Sequence, residues 1–255
     1  QERRVEVPAN GRSDVVLVGA SAEPGGDPQQ ARVEVSYRVD GGPWDGLISV
    51  PLRLVRAIPA GTDWNRPADW TLDTQDAIVD YCTADPSLRD QSWKGPQDLS
   101  ARIWLGRSPD ALRVHVEVRD NVHHQVEPAD TAWRGDSVQL GVQAPGQKGF
   151  FELTTAMHAD GGVLRAVGSS PAGLQAKAAD YAARASRSGD ATIYDIEIPL
   201  QRFGLDGAVL ASGLRFNLIV NDNDGPLRKG YIRVAPGIGE GKDSSQFPLV
   251  RFDAR

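Results

Sequence analysis

The sequence predicts an all-β protein: an antiparallel β-sandwich preceded by a smaller β unit. Three observations carry that expectation. Leu112, Val114, Val116 and Val118 alternate with Arg113, His115, Glu117 and Arg119, and Leu214, Phe216, Leu218 and Val220 alternate with Arg215, Asn217 and Ile219. Apolar residues at every second position fill one face of a strand and leave the other to solvent or to a second layer. The 27 glycines and 17 prolines are spread through the 255 residues, which suits many short strands joined by tight turns. No long run repeats with the 3.6-residue period of a helix, so a bundle is excluded and a sandwich is the remaining architecture.

Residues 1–62 hold strand-like runs at 15–18, 33–39 and 47–58, separated by the turn-rich segments AEPGGDPQQ and DGGPWDG. They are expected to form a small immunoglobulin-like β segment or a partial sandwich. Three or four strands are few for an independent fold, so packing on a neighbouring domain or membership of a longer parent is expected. The Pro- and Trp-bearing stretch AIPAGTDWNRPADW marks the boundary at about 62, which makes 63–255 the second domain. Trp64 and Trp70 in that stretch either staple the linker onto the following domain or serve as glycan platforms. Further strands are expected at 101–106 and 111–118, a hairpin turned at RSPD, then at 137–142, 150–155, 162–167, 180–187, 191–198, 214–220, 230–234 and 247–252. On this pattern His115 lies on the solvated face of its strand.

Composition excludes several functions. The net charge is −6 and no basic run occurs, so a nucleic-acid surface, which depends on clustered Lys and Arg, is not expected. No apolar stretch approaches the length of a membrane span, and no charged-then-apolar leader opens the chain, so the protein is either cytosolic or has had a leader removed. Cys82 is the only cysteine, which rules out an internal disulfide and a thiolate metal cluster and leaves a buried thiol. There is no GxSxG elbow, HExxH or Cys/His couple, and no carboxylate pair is singled out by spacing.

Two stretches carry candidate chemistry. Asn221-Asp222-Asn223-Asp224-Gly225 brings oxygen donors to a strand end, as a hard cation such as calcium requires or as an Asx-rich turn would show. Asp120 and Asp136 are candidates for the same or a neighbouring oxygen-lined site, which gives a candidate metal set of Asp120, Asp136, Asp222 and Asp224. His123 and His124 are adjacent and point to opposite sides of an extended chain, and Met157-His158 is the other pair with ligand chemistry, in its case for haem. The second stretch is TAWRGDSVQLGV, in which Trp133, Gly135 and Asp136 precede the alternating Val138, Leu140 and Val142. Trp133 there is either a recognition platform carried by a rigid strand or a core plug.

Residues from about 64 to 255 resemble the family 9 carbohydrate-binding modules. The resemblance rests on DLSARIWLGRSPDALRVHVEVRDNVH, WRGDSVQLGV, GLRFNLIVNDNDG and GKDSSQFPLVRF, in that order. It implies an antiparallel sandwich, structural calcium, and a slot in which two tryptophans clamp a terminal sugar while polar side chains read its hydroxyls. By position Trp133 falls on one clamp tryptophan and Gln139 on a sugar-binding carboxylate, while Glu152 and Thr154 fall on an arginine and an asparagine. The second clamp tryptophan falls near Gly241, unless Trp64, Trp70, Trp93 or Trp104 supplies it from elsewhere. The implied function is a non-catalytic carbohydrate-binding or accessory module of a secreted, multidomain glycan-active protein, extracellular or periplasmic. Its implied ligand is a poly- or oligosaccharide stacked on Trp133, with Gln139, Glu152 and Thr154 beside it. The alternatives are a structural module without sugar binding, a haem b electron-transfer domain and a glycan-active enzyme.

Overall fold

The computed structural model describes residues 32–38, 45–51, 55–59, 61–225 and 227–252. The chain divides into two compact units, Gln1–Leu54 and Val55–Arg255. In the first, β1 (Arg32–Arg38) and β2 (Asp45–Pro51) pair antiparallel, with Val35 opposite Ile48. The strand expected at 15–18 lies outside the described residues, as does most of the segment expected to be immunoglobulin-like.

The second unit is a two-sheet sandwich. Its strands are β3 (Val55–Ile58), β4 (Trp70–Leu72), β5 (Ile78–Asp80), β6 (Leu99–Arg107), β7 (Ala111–Asp120), β8 (Ser137–Gln143), β9 (Phe151–Met157), β10 (Val163–Ser169), β11 (Ala182–Ser188), β12 (Ala191–Pro199), β13 (Leu214–Asn223), β14 (Arg228–Arg233) and β15 (Leu249–Phe252). Every strand expected between 101 and 252 is present, and the short β4 and β5 are additional. The smaller sheet has the order β11-β12-β7-β6-β4. The larger runs β10-β9-β8-β13-β14-β5, with β15 also on β13 and β3 parallel to β15. One edge of β13 is thus shared: Leu214 and Arg215 pair with β15, and Ile219 to Asn223 pair with β14.

The alternation seen in the sequence builds the core. Val114, Val116, Ile196 and Ile198 of the smaller sheet meet Val138, Leu140, Leu153, Phe216 and Leu218 of the larger one, all essentially solvent-free. Short helix α1 (Gly207–Ser212), capped by Asp206 accepting from the Val209 N–H, buries Leu210 at one end of that core. Burial of this apolar area, at roughly 25 cal/mol per Å², is the main force holding the sheets together.

The unit begins earlier than the boundary at 62 read from the sequence. Val55–Ile58 pairs with β15, and Ile58 is fully buried in the sandwich core. Sequence alternation marks a strand and says nothing of its partner, which here lies almost two hundred residues away. The linker that follows is stapled down: Trp70 stacks on Phe216 at 5.6 Å, Trp104 Nε1 donates to the Arg66 carbonyl at 2.8 Å, and Asp69 holds Arg66 while accepting from the Leu105 N–H. His115 departs from its expected solvated position. It faces outward from β7 but is only 8% exposed, because Trp64 stacks on it at 5.3 Å and Trp104 tilts against it at 5.3 Å. Cys82 is buried, as expected.

Phe216→Ala, which empties a core position between Trp70 and β8, is expected to cost about 3–5 kcal/mol of unfolding free energy. Urea denaturation followed by tryptophan fluorescence measures this, and a loss under about 1 kcal/mol would show that the two sheets do not share this core.

Candidate functional site

Trp133 sits on a 3-10 turn, Ala132–Arg134, immediately before β8, and its side chain is 38% exposed. The alternative of a buried core plug is therefore overturned. Neighbours fix the turn. The Gln125 side-chain amide donates to the Ala132 carbonyl at 2.8 Å and to the Asp136 carbonyl at 3.0 Å, and Asn223 Nδ2 donates to the Arg134 carbonyl at 2.8 Å. A Cβ at Gly135 would lie 2.7 Å from the Gln125 amide, so only glycine lets that amide reach both carbonyls.

From this turn a polar array crosses the outer face of the larger sheet. The guanidinium carbon of Arg228 lies 5.5 Å from the Trp133 ring centroid, 5.4 Å from Tyr81 and 4.9 Å from Tyr231. Arg228 also donates to Asn221 Oδ1. Asn221 Nδ2 in turn donates to Ser137 Oγ at 2.9 Å and Gln139 Oε1 at 3.0 Å, and Gln139 Nε2 donates to Glu152 Oε1 at 2.8 Å. Lys242 closes the array on Glu152 at 2.7 Å. Register explains the assembly: Ser137, Gln139, Thr154 and Asn221 project to the same face of β8, β9 and β13, with Gln139 opposite Thr154 and Ser137 opposite Asn221.

Beneath the turn lies a buried cluster of carboxylates. Asp136 accepts from the His124 N–H at 2.5 Å and the Asn223 N–H at 2.8 Å, and Asp120 accepts from the Val122 N–H at 2.9 Å. Ligand atoms of Asp120, His123 and Asp136 lie within 4.8 Å of one another, as do those of Asp120, Asp222 and Asp224. Lys229 enters from β14, 2.8 Å from Asp224 and 3.3 Å from both Asp222 and Asp98. Burial, followed by the charge of Asp136, pushes the Asp120 carboxyl up to about 8. Burial also pushes Asp222 up to about 7 against the pull of Lys229, and raises Asp136 well above its ordinary range despite its two backbone bonds. Burial works to lower the Lys229 ammonium, but Asp222, Asp224 and Asp98 together outweigh it and raise it. Among the described residues Asp222 Oδ1 and Asp224 Oδ1 are buried without a hydrogen-bond partner, so each carboxylate gives one oxygen to Lys229 and leaves the other unpaired. Such an oxygen-rich donor set fits a hard divalent ion.

Comparison with known proteins bears on the fold. A family 9 carbohydrate-binding module from Caldicellulosiruptor kristjanssonii in complex with cellotriose superposes with a TM-score of 0.56 at 13% identity, covering 79% of this chain and 95% of that one. The family 9 module from the same organism in complex with glucose gives 0.50 at 14%, covering 78% and 95%. The fold is that of a family 9 carbohydrate-binding module. No protein-family model matches the sequence, and no curated protein does.

Against that fold, the expected sugar-site residues Gln139, Glu152 and Thr154 share one face of the larger sheet, and Trp133 sits on the turn before β8. Gly241 has open space where its Cβ would be, and none of the described tryptophans replaces the second clamp. Trp64 and Trp104 cover His115 on the other sheet, Trp70 packs on Phe216, and Trp93 donates to the Leu99 carbonyl. Arg228 is the group set beside Trp133 instead, with Tyr81 and Tyr231 around the same guanidinium, and no periodic pattern announces them. Charge reversal at Glu152 is met by Lys242, the neighbour of Gly241. The expected metal residues Asp120, Asp136, Asp222 and Asp224 do converge, joined by His123, Asp98 and Lys229. Asn221–Asn223, however, belong to β13, so Asn221 serves the outer array while Asp222 serves the cluster; only the Gly225 N–H bonded to Asn223 Oδ1 forms the expected Asx turn. Met157 packs against the core and His158 turns to Asp160 at 3.0 Å, so the two do not converge on a haem iron.

The raised carboxyls set a pH dependence for metal-free protein. Each contributes stability that is whole below the ordinary value of 3.8 and is lost as pH climbs through the raised value, because the unfolded chain releases that proton more readily than the fold. In chelator, the melting temperature is expected to fall from about pH 5 to about pH 8 and then level off, and calorimetry that finds a flat or rising profile would contradict the assignment.

Proposed function

We propose that the unit Val55–Arg255 is a non-catalytic carbohydrate-binding or accessory module of a secreted, multidomain glycan-active protein, extracellular or periplasmic, with the sugar ring stacked on Trp133. The observation that carries this reading is the 38% exposure of Trp133 at the head of the array Arg228, Asn221, Gln139, Glu152 and Lys242. An aromatic face takes the apolar side of a pyranose, while Asn221, Gln139 and Glu152, themselves buried, fix the solvent-reaching Arg228 and Lys242 in orientations that can meet its hydroxyls with little loss of rotamer freedom. The shared fold with a module crystallised with cellotriose supports the same reading. No helix among the described residues is long and apolar enough to cross a membrane.

Calcium belongs to the proposal as a structural ion held by Asp120, Asp222 and Asp224, with Asp136 and His123 adjoining. It would neutralise carboxylates whose burial is otherwise costly. The ion would lie below the Trp133 turn and stiffen it through Asp136 and Asn223.

Affinity electrophoresis through gels of soluble polysaccharides tests the ligand. Retardation on at least one glycan is expected, with Trp133→Ala weakening it by about tenfold or more at nearly unchanged stability. A structural role for the indole predicts the opposite pattern, a stability loss of about 3–5 kcal/mol with mobility unaffected. For the metal, calcium at a hundredfold excess over its dissociation constant is expected to stabilise the fold by about 2.7 kcal/mol, an effect removed by Asp222→Asn. A melting temperature indifferent to calcium and to chelation removes the ion from the proposal.

A further inference from the structure

Six arginines of the sandwich, Arg66, Arg102, Arg113, Arg119, Arg202 and Arg233, each pair with a carboxylate. Arg134 and Arg228, which flank the exposed indole, have no carboxylate partner among the described residues, a state they share with arginines elsewhere in the sandwich such as Arg165 and Arg187, which bond to carbonyl and hydroxyl oxygens. Arg134 lies with its guanidinium carbon 5.3 Å from the Trp133 ring centroid, exposed, and makes no ion pair among the described residues. Arg228 is held at 5.5 Å from the same ring, by the Tyr81 hydroxyl at 3.3 Å and by Asn221, both uncharged acceptors. Its Nε, like that of the carboxylate-paired Arg113, is buried without a hydrogen-bond partner among the described residues. Burial depresses the Arg228 guanidinium below its ordinary range, with only the Tyr81 and Tyr231 phenols working the other way. A half-buried cation with an unused donor, beside a second cation that has no counter-charge, is a site short of an anion. Across the array Glu152 is already matched by Lys242, so it does not supply that anion.

We propose that the sugar recognised at Trp133 is acidic, carrying a carboxylate or a sulfate ester that pairs with Arg134 and draws its guanidinium off the indole, where the ring then stacks, with Arg228 as the second cation beside the same indole. This inference rests on the carbohydrate-binding reading and narrows its ligand class. The net charge of −6 opposes an anionic ligand at long range, but at physiological salt that field is screened within about 8 Å, whereas the guanidinium contacts are direct. An arginine fork binds a planar carboxylate or a sulfate through two parallel N–H donors, and charge-assisted bonds of this kind are roughly twice as strong as neutral ones.

Isothermal titration of the full chain with three matched trisaccharides tests this: cellotriose, its analogue with glucuronate in place of glucose, and cellotriose sulfated at its 6-hydroxyls. At least one acidic trimer is expected to bind about tenfold or more tightly than cellotriose at low salt, with the advantage shrinking as salt is raised. The acidic trimer that binds names the anion. Arg134→Gln, an exposed position whose melting temperature is expected to be unchanged, should reduce the preference for the acidic trimer over cellotriose severalfold. Equal or tighter binding of cellotriose overturns the acidic-sugar inference and leaves the carbohydrate-binding reading standing, as does an acidic preference that persists in both Arg134→Gln and Arg228→Gln. Failure of all three trimers to bind overturns the acidic-sugar inference, and the carbohydrate-binding reading then falls only if every polysaccharide gel also leaves mobility unchanged.

Discussion

The carboxylate of Asp136 is the constraint on which the site depends. It accepts backbone N–H groups from His124, in the loop after β7, and from Asn223, at the end of β13, while its own residue opens the way into β8. Three segments remote in sequence are thereby fixed against one another. Burying that charge among Asp120, Asp222 and Asp224 is tolerable only if positive charge or protons accompany it, because the penalty for an uncompensated buried ion is several kcal/mol. Lys229 meets part of the need and its single charge cannot meet the whole. The order of the Trp133 turn is in this way tied to the ionisation of groups beneath it that no ligand touches.

Most of the sandwich was legible because period-two alternation reports directly on which residues face the core. Leu112 to Val118, Tyr194 to Ile198 and Leu214 to Val220 all lie where their pattern puts them. What alternation cannot report is what lies over the other face. His115 points away from the core as its parity demands, yet two tryptophans from β6 and the linker cover it. Pairing across long sequence separations is equally silent, which is why Val55–Ile58 reads as part of the first unit although it belongs to the second.

The candidate site divides along the same line. Trp133, Gln139, Glu152 and Thr154 follow from a resemblance, and register brings the last three to one face while Trp133 sits on the turn before β8. Arg228, Tyr81, Tyr231 and Lys242 come from separate segments, with no motif to announce them. The run of asparagines and aspartates at the end of β13 carried its own answer. Successive strand residues point to opposite faces, so a stretch that looks like one ligand loop is split between two tasks, Asn221 outward and Asp222 inward.

The parallel pairing of β3 with β15 has a mechanical meaning. The register runs from Val55 opposite Leu249 to Ile58 opposite Phe252, so the backbone enters the pair at one end and departs at the other. Tension transmitted along the polypeptide would slide the two strands past each other and load their interstrand bonds together, whereas an antiparallel pair pulled from one end opens a bond at a time. Force applied across the unit Val55–Arg255 through its two ends is thus met by the more resistant of these two geometries.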